Sequence, residues 1–316
     1  MKYFAAFAMA FTIVYVLIPV LGKLSFKIGF VDIPNERKIH KHPVPIMGGI
    51  GMFIGFVVVF LLFVRHEGEK TLAVLLGSLL VIGIGIVDDW YKAHGKDFPA
   101  LPKLFVQIAA AIIIYKSGIV FWGFHDPFRQ TDVILPVWLQ FFFTVMWIFG
   151  VTTVINFSDG MDGLAGGISS ISATTLFIVA LAKGQSISAM MAIILVGTIL
   201  GFLRYNKHPA KIFMGDAGAT FLGFILSIIA LDGTFKQATV LSIFIPVLAL
   251  GVPIFDNIFV VLKRIWERKP IYKADNSQIH FRLMSHGLNQ KQVVVFLYLV
   301  SLCFSLTSII VLLIGA

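Results

Sequence analysis

Charge and cysteine are both scarce in this 316-residue chain. Only 13% of its residues are charged, about half the share found in soluble domains, whereas 58% are hydrophobic. A single cysteine, Cys303, excludes an intrachain disulfide. The composition therefore excludes a disordered chain, a secreted disulfide scaffold and a nucleic-acid-binding domain. It indicates a protein whose solvent is a lipid bilayer.

The hydrophobic residues fall into ten runs, most of them near the length that a bilayer-crossing helix requires. We predict an all-α polytopic membrane protein, a single integral-membrane domain over residues 1–316 with about ten transmembrane helices. Segment 117–136 alternates around a polar turn and predicts a small external hairpin. The ten runs are 3–22, 46–64, 71–89, 102–116, 137–155, 163–183, 187–203, 217–231, 239–262 and 293–314.

Basic residues are distributed unevenly between the two sets of connections that alternate along the chain. One set carries 18 of the 25 Lys and Arg residues, and the opposite set together with the chain ends carries the other seven. Because Lys and Arg concentrate in cytoplasmic loops, we predict that the basic set faces the cytoplasm, that both termini are extracytoplasmic and that the protein lies in the inner (plasma) membrane. Membrane topology thus explains the net charge of +9 without a nucleic-acid partner.

Acidic residues gather at the cytoplasmic ends of the predicted spans. Carboxylates at membrane depth are costly and usually mark a functional site. Asp88 and Asp89 close a helix, where the helix dipole and their mutual repulsion disfavour negative charge, so a divalent or side-chain cation is expected nearby. Oxygen ligands without a cysteine cluster favour Mg²⁺. For Asp162 and Asp216 a helix N-cap is an open alternative. The five acids are Asp88, Asp89, Asp159, Asp162 and Asp216.

Glycines and basic side chains accompany these acids. Gly160 and Gly163 each follow an aspartate and predict a tight turn, whereas Gly223 fits close helix packing. Arg282 lies in the last basic connection and suits a phosphate through two parallel donors, and His280 shares its loop. We therefore predict a cytoplasmic-face active site for phosphoryl chemistry, with one reactant delivered from membrane lipid.

Residues 30–290 resemble the polyprenyl-phosphate N-acetylhexosamine-1-phosphate transferases, glycosyltransferase family 4. The resemblance implies transfer of N-acetylhexosamine 1-phosphate from a UDP-sugar to undecaprenyl phosphate, with release of UMP, as the first membrane step of cell-envelope glycan synthesis. It also implies dependence on Mg²⁺, with Mn²⁺ as a substitute, and leaves a homodimer open. The motifs that carry it are, in order, DIPNERKIHKHPVPIMGG, GIVDDWYK, the Pro102-Lys103-x-x-x-Gln107 run, NFSDGMDGLAGG, FMGDAGATFLG, GVPIFD and a degenerate histidine motif.

The resemblance assigns roles by position. It implies catalytic roles for Asp88, Asp89, Asp159 and Asp162, and metal binding by Asp216 and Asp89. A lipid phosphate is largely dianionic at neutral pH, so Asp88 either activates it, positions it or holds the metal, and a two-step route through an aspartyl phosphate is also open. The residues implied to bind substrate are Asp32, Lys92, Lys103, Asn156, His280 and Arg282.

The last cytoplasmic motif departs from the family pattern. Family members often carry His-x-His-His-Arg-Leu where this chain has Gln278, His280, Phe281 and Arg282. The run favours the branch that transfers GlcNAc 1-phosphate for lipopolysaccharide or teichoic acid. The phospho-MurNAc-pentapeptide transferases of peptidoglycan synthesis are the enzyme alternative, which the DDWYK run fits.

A non-enzyme alternative is an ion-coupled transporter. It rests on Asp256 and on the GVPIF break, both of which lie inside the ninth predicted span. The same break would open a groove for a lipid tail in a transferase. The location of the acids distinguishes the two, because a transporter needs polar residues along a path through the bilayer.

Overall fold

The computed structural model describes residues 1–34, 42–64, 68–126, 131–234, 240–268 and 277–314. Over these residues the chain forms twelve α-helices and two small antiparallel hairpins. The helices are α1 Lys2–Lys27, α2 Gly48–Phe63, α3 Gly68–Ala93, α4 Ala100–Lys116, α5 Val137–Phe157, α6 Leu164–Ala182, α7 Ser186–Asn206, α8 Gly215–Thr234, α9 Val240–Ala249, α10 Gly251–Trp266, α11 Ile279–Ser285 and α12 Gln290–Ile314. The strands are β1 Val31–Asp32, β2 Val44–Pro45, β3 Gly123–Asp126 and β4 Thr131–Ile134.

All ten predicted apolar runs are helical, which confirms the all-α class. Seven of the described helices are long and apolar enough to cross a bilayer: α1, α3, α5, α6, α7, α8 and α12. Helices α2 and α4 have 16 and 17 residues. The ninth run is divided between α9 and α10 at Leu250, because Pro253 has no N–H to donate and its ring would clash with the carbonyl of Ala249. The structure therefore supports a multi-pass protein with at least seven candidate spans.

Helix α8 lies at the centre of the bundle. Its most apolar stretch is 83% buried, compared with 28% for α1 and α12 at the periphery. It packs against α2, α3, α5 and α6, so its sequence is apolar on every face. The outer helices expose large apolar side chains such as Phe4 and Leu299, as expected for surfaces that face lipid tails.

The order of the helices brings the acidic loops together. Since consecutive helices run in opposite directions, α3, α5 and α7 end where α4, α6 and α8 begin. The α3–α4, α5–α6 and α7–α8 connections thus meet at one end of the bundle. Strands β1 and β2 add Asp32 at that end, and their pairing places Asp32 opposite Val44. The hairpin predicted within 117–136 is confirmed by the pairing of β3 with β4, and the side of the membrane on which it lies stays a prediction.

A close contact between α8 and α5 explains the glycine at position 223. A Cβ built on Gly223 would lie 2.7 Å from the Cα atom of Thr152 and 2.9 Å from the carbonyl oxygen of Val151. Both are backbone atoms, which cannot move aside as a flexible side chain can. The expectation that Gly223 serves helix packing is therefore confirmed.

We expect Gly223→Val to lower the free energy of unfolding by about 1–3 kcal/mol, because overpacking forces the backbones apart. Gly150→Val in α5 is the matched control, since a Cβ there meets nothing within 4 Å. Thermal unfolding of both variants in detergent measures the difference. Equal melting temperatures for the two variants would contradict the packing argument.

Candidate active site

Three carboxylates from two helix ends meet at this end of the bundle. Asp88 and Asp89 lie near the end of α3, and Asp216 lies in the first turn of α8. Each offers an oxygen within 4.8 Å of the others. Asp88 and Asp89 are 0% and 3% exposed. The predicted grouping of these three acids is thus present in the structure.

Two lysines bridge the carboxylates. Lys92 Nζ lies 2.9 Å from Asp88 Oδ2 and 2.8 Å from Asp216 Oδ1. Lys103 Nζ lies 2.9 Å from the same Asp88 oxygen and 3.5 Å from Asp216 Oδ2. Lys92 and Lys103 are therefore the side-chain cations that the sequence predicted near Asp88. Ammonium groups held at buried carboxylates are also well placed to bind phosphate oxygens.

The residues present also fit a divalent metal. Asp88 Oδ1 is buried and has no hydrogen-bond partner among the described residues. An unpartnered buried carboxylate oxygen is costly, and a cation beside it would remove that cost. Together with Asp89 and Asp216, Asp88 would provide a set of metal ligands made of carboxylate oxygens alone, which Mg²⁺ prefers.

Asp89 is held by the start of α8. Its Oδ1 accepts a hydrogen bond from the Asp216 N–H at 2.8 Å, and its Oδ2 accepts one from the Ala217 N–H at 3.0 Å. The positive end of the α8 dipole thus offsets the unfavourable end of α3, a partner that the sequence argument had not considered. Asp216 does not cap α8; the capping carboxylate comes from α3 instead. Gly215 has φ +69°, and a Cβ there would lie 2.3 Å from Asp89 Oδ2.

The loop between α5 and α6 carries Asp159 and Asp162, and hydrogen bonds from residues outside the loop hold its conformation. Gly163 adopts φ +77° as the N-cap of α6, which confirms its predicted turn. The Gly163 N–H donates to Asn206 Oδ1 at 3.0 Å, and Tyr298 donates its hydroxyl to the Gly163 carbonyl at 2.5 Å. Asn206 also donates to the Ile212 carbonyl at 2.8 Å, so it joins this loop to the segment before α8. Sequence reasoning missed Asn206 and Tyr298, because their contacts with Gly163 span 43 and 135 positions of sequence.

Asp162 pairs with the α7–α8 connection rather than capping a helix. Its Oδ2 contacts His208 Nδ1 at 2.8 Å and accepts the Ala210 N–H at 3.1 Å. Among the described residues no side chain caps α6, so the N-cap alternative for Asp162 is wrong. His208 was also missed by sequence reasoning, because a lone histidine in a basic loop gives no signal of its own.

A cavity of about 700 Å³ lies beside the carboxylate cluster. Burial, reinforced by the negative charge of Asp216, raises the pKa of Asp159 to about 7. Asp159 can therefore hold or release a proton near neutral pH. Phe281, His208 and Gln290 also line the cavity. The predicted site residues that line it are Asp32, Asp89, Lys92, Asp159, Asp162 and Asp216.

Five other predicted site residues do not line this cavity. Asp88 and Lys103 stand behind Asp216 in the ion-pair cluster. Asn156 lies at the end of α5, where its carbonyl accepts the Asp159 N–H at 3.2 Å. His280 is 2% exposed and packs against Gly160, where a Cβ would lie 2.1 Å from His280 Nε2. Gly160, which has no positive φ, thus permits this close approach instead of the predicted turn.

Arg282 is likewise outside the cavity lining. Its Nη2 donates to Asp256 Oδ1 at 3.2 Å, and its guanidinium lies 4.0 Å from the centre of the Phe259 ring. Asp256 Oδ1 also accepts the Ile279 N–H at 2.9 Å, at the start of α11. Asp256 therefore anchors the helix that carries the histidine motif. The substrate-binding roles of His280 and Arg282 stay predictions.

His280 generates a prediction about stability and pH. Burial lowers the pKa of its imidazole to about 4, below the value of 6.5 for a free side chain. The unfolded chain therefore binds a proton between these values that the folded chain does not, so this residue's stabilisation is complete above pH 6.5 and is lost as the pH falls toward 4. At about pH 5 we expect a loss of about 2 kcal/mol relative to neutral pH, and the His280→Gln variant should lack it.

The measurement is the unfolding free energy of the wild type and of His280→Gln at both pH values. His286→Gln, which changes an exposed histidine in the same segment, is the control. If the wild type and His280→Gln lost the same stability on acidification, the buried neutral imidazole would be refuted.

Comparison with known proteins bears on the same residues. The chain is 39% identical over 305 residues to a Bacillus subtilis protein named "Probable undecaprenyl-phosphate N-acetylglucosaminyl 1-phosphate transferase", covering 96% of this chain and 84% of that one. It is 30% identical to a decaprenyl-phosphate N-acetylglucosaminephosphotransferase of Mycobacterium leprae, over 91% of this chain and 78% of that one. A phospho-N-acetylmuramoyl-pentapeptide-transferase of Staphylococcus carnosus is 29% identical, over 94% of each chain.

A family model also matches. It covers residues 71–234, which hold α3 through α8 and with them the carboxylate cluster, both lysines, and the loops of Asp159 and His208. With the match over half of the chain and the relatives over most of its length, the chain belongs to glycosyl transferase family 4.

Proposed function

We propose that this protein transfers N-acetylglucosamine 1-phosphate from UDP-GlcNAc to undecaprenyl phosphate, with release of UMP and formation of a lipid diphospho-sugar. The observation that carries the proposal is the cluster of three carboxylates and two lysines beside a 700 Å³ cavity. The cavity is large enough for a nucleotide sugar. The named activities of the Bacillus and Mycobacterium relatives support the sugar and the lipid class.

We place this site at the cytoplasmic face of the inner membrane, in a protein with ten crossings and both termini outside. The uneven distribution of Lys and Arg supports the orientation. The meeting of the loops that carry Asp88, Asp159 and Asp216 at one end of the bundle supports a site at one face rather than a path through the bilayer. Asp256 is paired with Arg282 and α11, which further argues against an ion-coupled transporter.

Asp88, Asp89 and Asp216 would hold Mg²⁺ or Mn²⁺, which when bound neutralises charge on the transferred phosphoryl group. Asp216, with 21% of its side chain exposed, is the member most accessible from the cavity. Lys92 and Lys103 would exchange their carboxylate contacts for phosphate oxygens of the donor and acceptor. Asp89 keeps Asp216 in place through its two backbone hydrogen bonds.

The transfer itself forms one P–O bond and breaks another. An oxygen of the lipid phosphate bonds to the phosphorus that carries the sugar, and the bond from that phosphorus to UMP breaks. Asp159, with its pKa near 7, takes the proton from the fraction of lipid phosphate that still carries one. Asp88 is fully buried behind two lysines, which favours direct transfer over a covalent aspartyl phosphate.

The test uses purified protein with undecaprenyl phosphate, Mg²⁺ and a panel of UDP-sugars, and UMP is measured. We expect release with UDP-GlcNAc and none with UDP-MurNAc-pentapeptide, which would exclude the peptidoglycan branch. The absence of UMP from every donor would overturn the proposal.

Neutralising the cluster should reduce turnover. We expect Asp216→Asn and Asp89→Asn each to lower kcat by about 100-fold or more, since each removes a charge-stabilising group. Asp89→Asn also leaves one α8 N–H without its acceptor. Glu69→Gln, an exposed acid in the first turn of α3 at the far end of the bundle, is the control. Turnover within a few fold of wild type in either cluster variant would remove that residue from the site.

Metal removal gives an independent prediction. Chelation with EDTA should abolish UMP release, and added Mg²⁺ or Mn²⁺ should restore it, because the buried carboxylates lose their divalent partner. Full activity in EDTA would show that the two lysines suffice without a metal.

A further inference from the structure

We propose that His208 recognises an amide-type N–H of the nucleotide sugar through its Nε2 atom, while Asp162 fixes the orientation of the ring. This inference rests on the proposed function and makes His208 a specificity-determining residue of the same site. The two N–H groups that UDP-GlcNAc offers are the imide of uracil and the acetamido group of the sugar. The chemistry required of the protein is the same for both, a neutral acceptor.

The contacts of Asp162 define which nitrogen of His208 carries the proton. Asp162 Oδ2 accepts the Ala210 N–H at 3.1 Å, and a carboxylate offers hydrogen-bond acceptors only. Its second contact, to His208 Nδ1 at 2.8 Å, is then a hydrogen bond that the ring nitrogen donates. An imidazole that carries its proton on Nδ1 has a lone pair on Nε2. The carboxylate thus prepares the opposite edge of the ring as a hydrogen-bond acceptor.

The Asp162–His208 pair presents this acceptor to the same cavity that the carboxylate cluster lines. His208 lines the cavity and keeps 36% of its side chain exposed, whereas Asp162, which also lines the cavity, is 15% exposed. Asp159, which comes three residues before Asp162 in the α5–α6 loop, lines the same cavity as Asp216 and His208. Phosphates bound at the cluster would leave the neutral parts of the donor to extend along the α5–α6 loop toward His208.

The loop that presents His208 is held rigidly, as recognition by one hydrogen bond requires. Asn206 joins it to Gly163 and Ile212, and Asp162 holds it at Ala210. A fixed acceptor facing a planar N–H discriminates strongly, because an analogue without the N–H leaves the acceptor unpaired.

Two substitutions of His208 distinguish the role of Nδ1 from the role of Nε2. In His208→Asn the amide NH₂ takes the place of Nδ1–H and can still donate to Asp162, but nothing replaces Nε2. In His208→Gln the side-chain amide reaches the place of Nε2 and can accept, while the Nδ1 donor is lost. If His208 only held Asp162 in place, His208→Asn would be tolerated better than His208→Gln.

The experiment measures binding by calorimetry to the full-length protein in detergent with Mg²⁺, without lipid acceptor. One arm compares UMP with its N3-methyl derivative, which lacks the imide N–H. The other compares UDP-GlcNAc with UDP-glucose, which lacks the acetamido group. Wild-type protein should favour the N–H-bearing ligand about tenfold in one arm, and that arm identifies the group bound.

In His208→Asn we expect this preference to vanish, and in His208→Gln we expect it to return at least in part. A preference in His208→Asn equal to wild type, in both arms, would overturn the inference, as would a His208→Gln variant that discriminates no better than His208→Asn. Failure of the proposed function would look different: wild-type protein would then release no UMP from any UDP-sugar in the transfer assay.

Discussion

The bond between Asp89 and the start of α8 is the interaction on which the site depends. A carboxylate at the end of α3 would be unfavourable alone, and the N-terminus of α8 would leave its first N–H groups unpaired. Each removes the cost of the other, and the hydrogen bonds join residues 127 and 128 positions apart. Gly215 makes the approach possible, because any side chain there would occupy the position of the Asp89 carboxylate. Asp216 reaches the cluster because it directly follows Gly215 in the chain.

Most of the fold could be predicted from the sequence because the bilayer imposes a simple rule on it. Every stretch that crosses or lines the membrane must be apolar and helical, so hydrophobic runs alone located all ten helical regions. The break within the ninth run also followed from local sequence, since Pro253 cannot continue α9. The extent to which each helix is buried could not be predicted from its hydrophobic run. Helices α8 and α12 are both apolar, yet one is enclosed and the other faces lipid, because their neighbours in space decide exposure.

The acids of the site could be predicted as a group, but their partners could not. Alternation of the spans predicted that Asp88, Asp159 and Asp216 share one end of the bundle, and the structure places them there. The hydrogen bonds that hold the α5–α6 loop at Gly163 come from residues whose type carries no signal, namely Asn206 and Tyr298. Each makes its contact across 43 or more positions of sequence, and only the packing of α6, α7 and α12 brings those positions together.

His280 and Arg282 of the histidine motif support the site without lining its cavity. Asp256 holds the start of α11 and Arg282, and His280 then presses against Gly160 next to Asp159. A buried neutral ring in this position sets the shape of the loop without contacting the cavity. The side chain of α11 that lines the cavity is Phe281. An apolar ring there offers the cavity no hydrogen-bonding group, so the proposed recognition of the donor's neutral end would depend more strongly on His208.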